Sequence, residues 1–146
     1  MVSFHDGSDV TVSLFADGSA QPQYTVAVPA GEKSGGKYTA VYDIPEVAAG
    51  TYTMKVMKNN HVTREYTVVV GSAPVVQDVK LCLKGDANGS GTVDIEDAML
   101  VFYHVAKKSY LGDEGLAACD TNADGTVDIE DAMTIFYFVA KKIDKI

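Results

Sequence analysis

Two twelve-residue stretches carry oxygen-bearing side chains at a spacing that suits a hard cation. Asp86, Asn88, Ser90, Thr92, Asp94 and Asp97 fall at positions 1, 3, 5, 7, 9 and 12 of the first. Asp120, Asn122, Asp124, Thr126, Asp128 and Asp131 fall at the same positions of the second. Ca²⁺ takes several oxygens at about 2.3–2.6 Å, and alternate residues of a tightly turning loop point theirs inward. Side chains at 1, 3 and 5, a backbone carbonyl at 7, the residue at 9 directly or through water, and the carboxylate at 12 would complete such a shell. Position 6 is Gly91 in one stretch and Gly125 in the other, where a Cβ would obstruct the sharp turn. Two Ca²⁺ are therefore expected, and the second loop, with four carboxylates against three in the first, should bind the tighter. Position 12 is aspartate rather than the glutamate usual in calcium-sensor loops. One methylene shorter, it requires the following helix to start closer to the ion.

These loops open a longer duplication. Asp86 to Lys108 aligns with Asp120 to Lys142 at identity in 17 of 23 positions; the exceptions are Ala87/Thr121, Gly89/Ala123, Ser90/Asp124, Leu100/Thr134, Val101/Ile135 and His104/Phe138. Apolar periodicity predicts a helix after each loop, Ile95 to Lys107 and Ile129 to Lys141. One strip of each helix, Ala98, Val101 and Val105 or Ala132, Ile135 and Val139, is expected to face the core. An adjoining strip holds Ile95, Met99, Phe102, Tyr103 and Ala106, repeated as Ile129, Met133, Phe136, Tyr137 and Ala140. The two strips together span about 200° of each helix, twice the stripe a surface helix normally buries. A unit this small lacks the interior to hide both, so the second strip should remain exposed as a partner surface. No helix is expected before the first loop, where Val79 to Gly85 is short, alternating and ends in glycine. Asp113 to Cys119 can form a short helix ahead of the second.

Upstream, the pattern changes to period two. Tyr24, Val26 and Val28, then Tyr38, Ala40, Tyr42 and Ile44, alternate as strands with one buried face do. Tyr52, Met54 and Val56 face Tyr66, Val68 and Val70 across Asn59-Asn60, which predicts a β-hairpin with a two-residue turn. Turn signals at Asp17-Gly18, Gly35-Gly36, Pro45 and Ala49-Gly50 divide the segment into five to seven short strands, as in an antiparallel β-sandwich. Gly71 to Lys80 breaks the alternation, giving a β module over residues 1–78 and an all-α module over residues 79–146, an α+β chain of two modules.

Charge and composition exclude several functions. The chain holds 20 acidic and 12 basic residues, a net charge of -8, which opposes nucleic-acid binding. No apolar run is long enough to span a membrane, and the residues after Met1 are not those of a signal peptide, so a secreted parent would make this chain an interior or terminal piece. His5 and His61 stand apart from any carboxylate or cysteine pair, and no nucleophile-base pair is evident, so no catalytic residues are assigned and no enzyme is expected. Cys82 and Cys119 are compatible with a disulfide or with two core thiols.

Two loop-helix (F-hand) repeats with aspartate at position 12 and no entering helix resemble a dockerin, the calcium-dependent anchor of cellulosomes. The β module ending in Gly50-Thr51-Tyr52-Thr53 through Val70-Gly71 is similar to the X modules that accompany some dockerins. The resemblance implies a secreted or surface-attached protein whose partner is a cohesin domain of a scaffoldin or cell-surface anchoring protein. It also implies that loop positions 10 and 11 and the helix face beyond them make the contact. Those residues are Ile95, Glu96, Met99, Phe102, Tyr103, Ala106 and Lys107, and in the repeat Ile129, Glu130, Met133, Phe136, Tyr137, Ala140 and Lys141. The set is apolar where other dockerins carry a Ser-Thr pair. Two other classes stay open: a calcium-sensor-like EF-hand protein and a carbohydrate-binding β-sandwich.

Overall fold

The period-two segment forms strands whose alternating apolar residues are buried on one side, most fully in the strands over 11–16 and 50–57. The computed structural model describes residues 1–146 and divides them into two units, residues 1–59 with 63–81, and residues 60–62 with 82–146. In the first unit the strands are β1 (Val2–Ser3), β2 (Thr11–Ala16), β3 (Tyr24–Ala27), β4 (Glu32–Ser34), β5 (Lys37–Thr39), β6 (Gly50–Met57) and β7 (Arg64–Val70). They form two antiparallel sheets, ordered β1-β5-β4 and β3-β2-β6-β7. Val12, Leu14, Met54, Val56 and Val68 of the larger sheet bury against Met1, Ala40, Val79 and Leu81 in one core. Gly35 and Gly36, at φ 57° and 81°, close β4 onto β5 in a two-residue turn that needs positive φ at both positions.

Three local expectations change. The hairpin of β6 and β7 forms, but its loop is longer than two residues, and Tyr52 stands opposite Val68. A turn closed on Asn59-Asn60 would set Tyr52 opposite Thr67 and send one strand's apolar residues to the wrong face. The strand expected over residues 38 to 44 stops at Thr39; Tyr42 and Ile44 still pack on the core, and the Tyr42 hydroxyl donates to the Gln77 carbonyl at 2.5 Å. At the end of the unit, Val2 N–H donates to Val79 O at 2.8 Å and Leu81 N–H to Val2 O at 3.0 Å. Residues 79–81 thus belong with the β unit, and the chain passes to the second unit after Leu81.

The second unit holds α1 (Ile95–Val105), α2 (Asp113–Cys119) and α3 (Ile129–Val139). No helix precedes the first loop, and α2 precedes the second. Ala98 and Val101 of α1 bury against Ala132 and Ile135 of α3, with Ala118 and Cys119 of α2 completing the core. Both long helices end two residues before the expected Lys107 and Lys141. At each end the chain turns left-handed, with Lys107 at φ 57° and Lys141 at φ 55°. Lys107 and Lys108 N–H then donate to the carbonyls of His104 and Tyr103, both at 2.9 Å, and Lys141 and Lys142 repeat this on Phe138 and Tyr137. This satisfies the last carbonyls of each helix, but with lysine where glycine is favoured. Replacing Lys107 with glycine relieves the Cβ clash of the left-handed conformation. Lys107→Gly should therefore raise the unfolding free energy of the second unit by about 0.5–1 kcal/mol in urea titrations followed by helix circular dichroism.

Candidate metal loops and helix surface

Each loop begins by wrapping its own backbone around the first aspartate. Asp86 accepts the N–H of Ser90 at 2.9 Å on one oxygen and that of Gly91 at 2.8 Å on the other. Asp120 does the same with Asp124 at 3.1 Å and Gly125 at 3.0 Å. Asn88 and Asn122 reinforce the turn by accepting from Ser90 at 2.9 Å and Asp124 at 3.0 Å. The reversal passes through Gly91 and Gly125, at φ 92° and 90°, so glycine at position 6 is a backbone requirement.

Each loop then ends by becoming a helix. Asp94 and Asp128 are the N-caps of α1 and α3, accepting from Glu96 and Glu130 N–H, each at 2.8 Å. In return Asp97 and Asp131 reach back to the N–H of the cap residue at 2.8 and 3.0 Å, forming a capping box. Their other oxygens hold the loop start: Asp97 accepts from Asn88 N–H at 3.2 Å, whereas Asp131 accepts from both Thr121 N–H and Thr121 hydroxyl, each at 2.8 Å. Thr121 was not singled out in the sequence, although the Ala87/Thr121 mismatch marks it. The hydroxyl gives the second loop a bond that alanine cannot give the first.

The electrostatics explain why a cation fits. Asp97, Asp131 and Asp86 are 0%, 1% and 5% exposed, and the groups that set the Asp97 carboxyl include no cation. Buried charges are ordinarily paired or coordinated to metal. Burial raises the Asp97 carboxyl above its ordinary value; the amides of Asp94 and Asn88 oppose this, and the nearby Asp86 and Asp94 add to it. Cys119 lies in the same field. Burial pushes its thiol up to about 12, with smaller contributions from Asp97, Asp131 and Asp86 of the two loops. The two cysteines are not disulfide-bonded. No three His, Cys, Asp or Glu side chains gather closely enough to hold a metal by themselves. The loop donors are a mixed oxygen set that includes Asn88, Ser90 and Asn122, and such hard ligands suit Ca²⁺ or Mg²⁺ rather than a softer metal.

On the helices, the strip expected to lie outside divides. Ile95 is 50% exposed, Met99 40% and Tyr103 41%, with Ile129 at 48% and Tyr137 at 37%. Glu96, Glu130, Ala106, Ala140, Lys107 and Lys141 are exposed as well, and Met133 is half-buried. Phe102 and Phe136 are half-buried and pack against the core, so they are less available to a partner than their neighbours. The difference follows from angle: Phe102 and Phe136 lie nearest the core strip, and the large rings fill space that Ala98 and Ala132 leave.

Residues 84–137 match the family model described as the dockerin type I domain. This part of the chain belongs to the dockerin family. Dockerin domains are non-catalytic docking modules that in general bind calcium, and those of cellulosomes are extracellular. A solved complex of the third cohesin of ScaC with a ScaB dockerin mutated in its N-terminal helix, from Acetivibrio cellulolyticus, contains a chain 30% identical to this one. The match covers 44% of this chain and 90% of that one, with a TM-score of 0.42. Two interface mutants of a type II cohesin–X-dockerin complex from the same organism are each 22% identical with a TM-score of 0.36, covering 88% and 89% of this chain and 80% of theirs. Comparison with curated proteins gave no match. No helix is long and apolar enough to cross a membrane.

Two measurements test the electrostatics of the dockerin loops without metal. Because burial penalises ionised Asp97 in the folded state, that penalty is present at neutral pH. It is relieved as pH falls through the folded value toward the unfolded value near 3.8. In chelator, the unfolding free energy of the chain should therefore rise with falling pH relative to Asp97→Asn; the slope of the difference is the readout, and a slope of the other sign refutes the assignment. Iodoacetamide should leave Cys119 unlabelled in the folded chain at pH 8, where about one thiol in ten thousand is ionised, and should label it fully in urea, as read by peptide mass.

Proposed function

We propose that the dockerin segment binds two Ca²⁺, one in each twelve-residue loop, and docks onto a cohesin domain of a scaffoldin or cell-surface anchoring protein. The β unit is read as its accompanying X module. The ligands are the side chains of Asp86, Asn88, Ser90, Asp94 and Asp97 with the Thr92 carbonyl, and of Asp120, Asn122, Asp124, Asp128 and Asp131 with the Thr126 carbonyl. The ions neutralise the loop carboxylates, among them Asp97, which burial otherwise penalises, and so hold the starts of α1 and α3 at a set separation. The observation that carries the docking reading is the row of exposed Ile95, Met99 and Tyr103, matched by Ile129 and Tyr137, directly beyond the acidic loops. Apolar side chains at this density on a small module are characteristic of a partner surface. The carbohydrate reading has less support, since no row of exposed aromatic residues is evident in the β unit, and the sensor reading lacks the helix before the first loop.

Calorimetric titration of the chain against a panel of cohesins, in calcium and in chelator, tests the proposal. Binding is expected with calcium alone. Tyr103→Ala and Tyr137→Ala should each cost about 1–2 kcal/mol if both repeats touch the partner at once. If either repeat can serve, only the double variant loses binding. Equal binding in chelator, or an unaffected double variant, would refute the docking surface.

A further inference from the structure

The two loops share nearly every bond, yet they differ in a way that bears on their chemical durability. Of the four asparagines, Asn59, Asn60, Asn88 and Asn122, only Asn88 precedes glycine. Asn88 and Asn122 occupy the same place in their loops and make the same bond, from the amide two residues on, at 2.9 and 3.0 Å. A bond of that kind folds the side-chain carbonyl back over the intervening peptide. That peptide's nitrogen, Gly89 N in one loop and Ala123 N in the other, is the atom that can attack the side-chain carbon. The residue after each asparagine is left-handed, Gly89 at φ 71° and Ala123 at φ 60°, so the backbone is alike and the Cβ is the difference. Gly89 is exposed, it has no side chain to crowd its own nitrogen, and nothing lies within 4 Å of where its Cβ would be.

We infer that Asn88-Gly89 is a site of spontaneous deamidation, and that the first loop ages faster than the second. A base removes the Gly89 amide proton and the nitrogen attacks Asn88 Cγ. The new C–N bond closes a five-membered imide as the Cγ–Nδ2 bond breaks and ammonia leaves. Water then opens the imide at one of its two carbonyls. Attack at Cγ gives aspartate, which adds a carboxylate to the loop. Attack at the main-chain carbonyl gives isoaspartate, which lengthens the backbone by one carbon between positions 3 and 4. Ser90 and Gly91 N–H, both held by Asp86, follow that insertion, so the isoaspartate product disrupts the wrap around Asp86. This inference does not rest on the docking reading.

The test is incubation of the full chain in mildly alkaline buffer with chelator, sampled over weeks, digested and analysed by mass. The peptide containing Asn88 is expected to gain about one mass unit and to separate into aspartate and isoaspartate forms. The peptide containing Asn122 should convert at least about tenfold more slowly, a barrier difference of about 1.4 kcal/mol. Reciprocal variants exchange residues that the two loops already hold at this left-handed position; Gly89→Ala adds the strain of a Cβ there, so helix circular dichroism checks that each variant is folded. Gly89→Ala should bring Asn88 down to the rate of Asn122, and Ala123→Gly should bring Asn122 up to the rate of Asn88. Equal rates at the two sites in the unmodified chain, or rates that neither variant moves, would overturn the assignment.

Discussion

Asp97 and Asp131 sit where two demands meet. As the third residue of a helix, a carboxylate is welcome, because it accepts free amides and faces the positive end of the helix. At Asp97, sealed from water, burial penalises the charged form and the amides offset only part of that penalty. The geometry of the second unit follows from holding these groups in place. The backbone wraps Asp86 and Asp120 through a left-handed glycine, and the loop start leans on the position-12 carboxylate. Each helix then begins at the point that carboxylate dictates, which brings α1 and α3 to the separation at which Ala98, Val101, Ala132 and Ile135 mesh.

The arrangement links sequence to surface through small residues. Alanines at 98 and 132 let the helices approach closely, and that approach leaves too little volume between them for the larger side chains on the adjoining strip. Phe102 and Phe136 find partial cover at the edge of the contact. Ile95, Met99, Tyr103, Ile129 and Tyr137 do not, and their exposure is the counterpart of a tight interior. A larger core would have absorbed them.

Much of this was legible in the residues. The loop carboxylates and glycines repeat at fixed positions because the wrap and the capping box tolerate little variation, so the loops and the helix starts can be read from spacing alone. Helix ends were less visible: lysine at 107 and 141 fits a helical pattern, and only the backbone reveals that it has turned left-handed. The length of the hairpin loop is also encoded in the sequence, since the strand alternation demands a register that a turn on Asn59-Asn60 cannot supply. Residues 40 to 44 alternate as a strand does without pairing as one, because burial of Tyr42 and Ile44 needs the alternation and not the ladder. The place of Val79 and Leu81 in the β core was hidden by the polar residues around them, as pairing with Val2 depends on a segment far away in sequence.

Cys119, buried in one cluster with Ala98 and Val101 of the first repeat and Ala132 and Ile135 of the second, shows how completely the two repeats depend on a common interior. Neither copy has a hydrophobic side that it can satisfy by itself, and each supplies the wall against which the other folds. A chain reduced to one copy would keep all the oxygens of a site while losing the packing that holds them in position. Divergence between the two halves reaches that shared core at Val101 and Ile135, where one branched apolar side chain stands in for another.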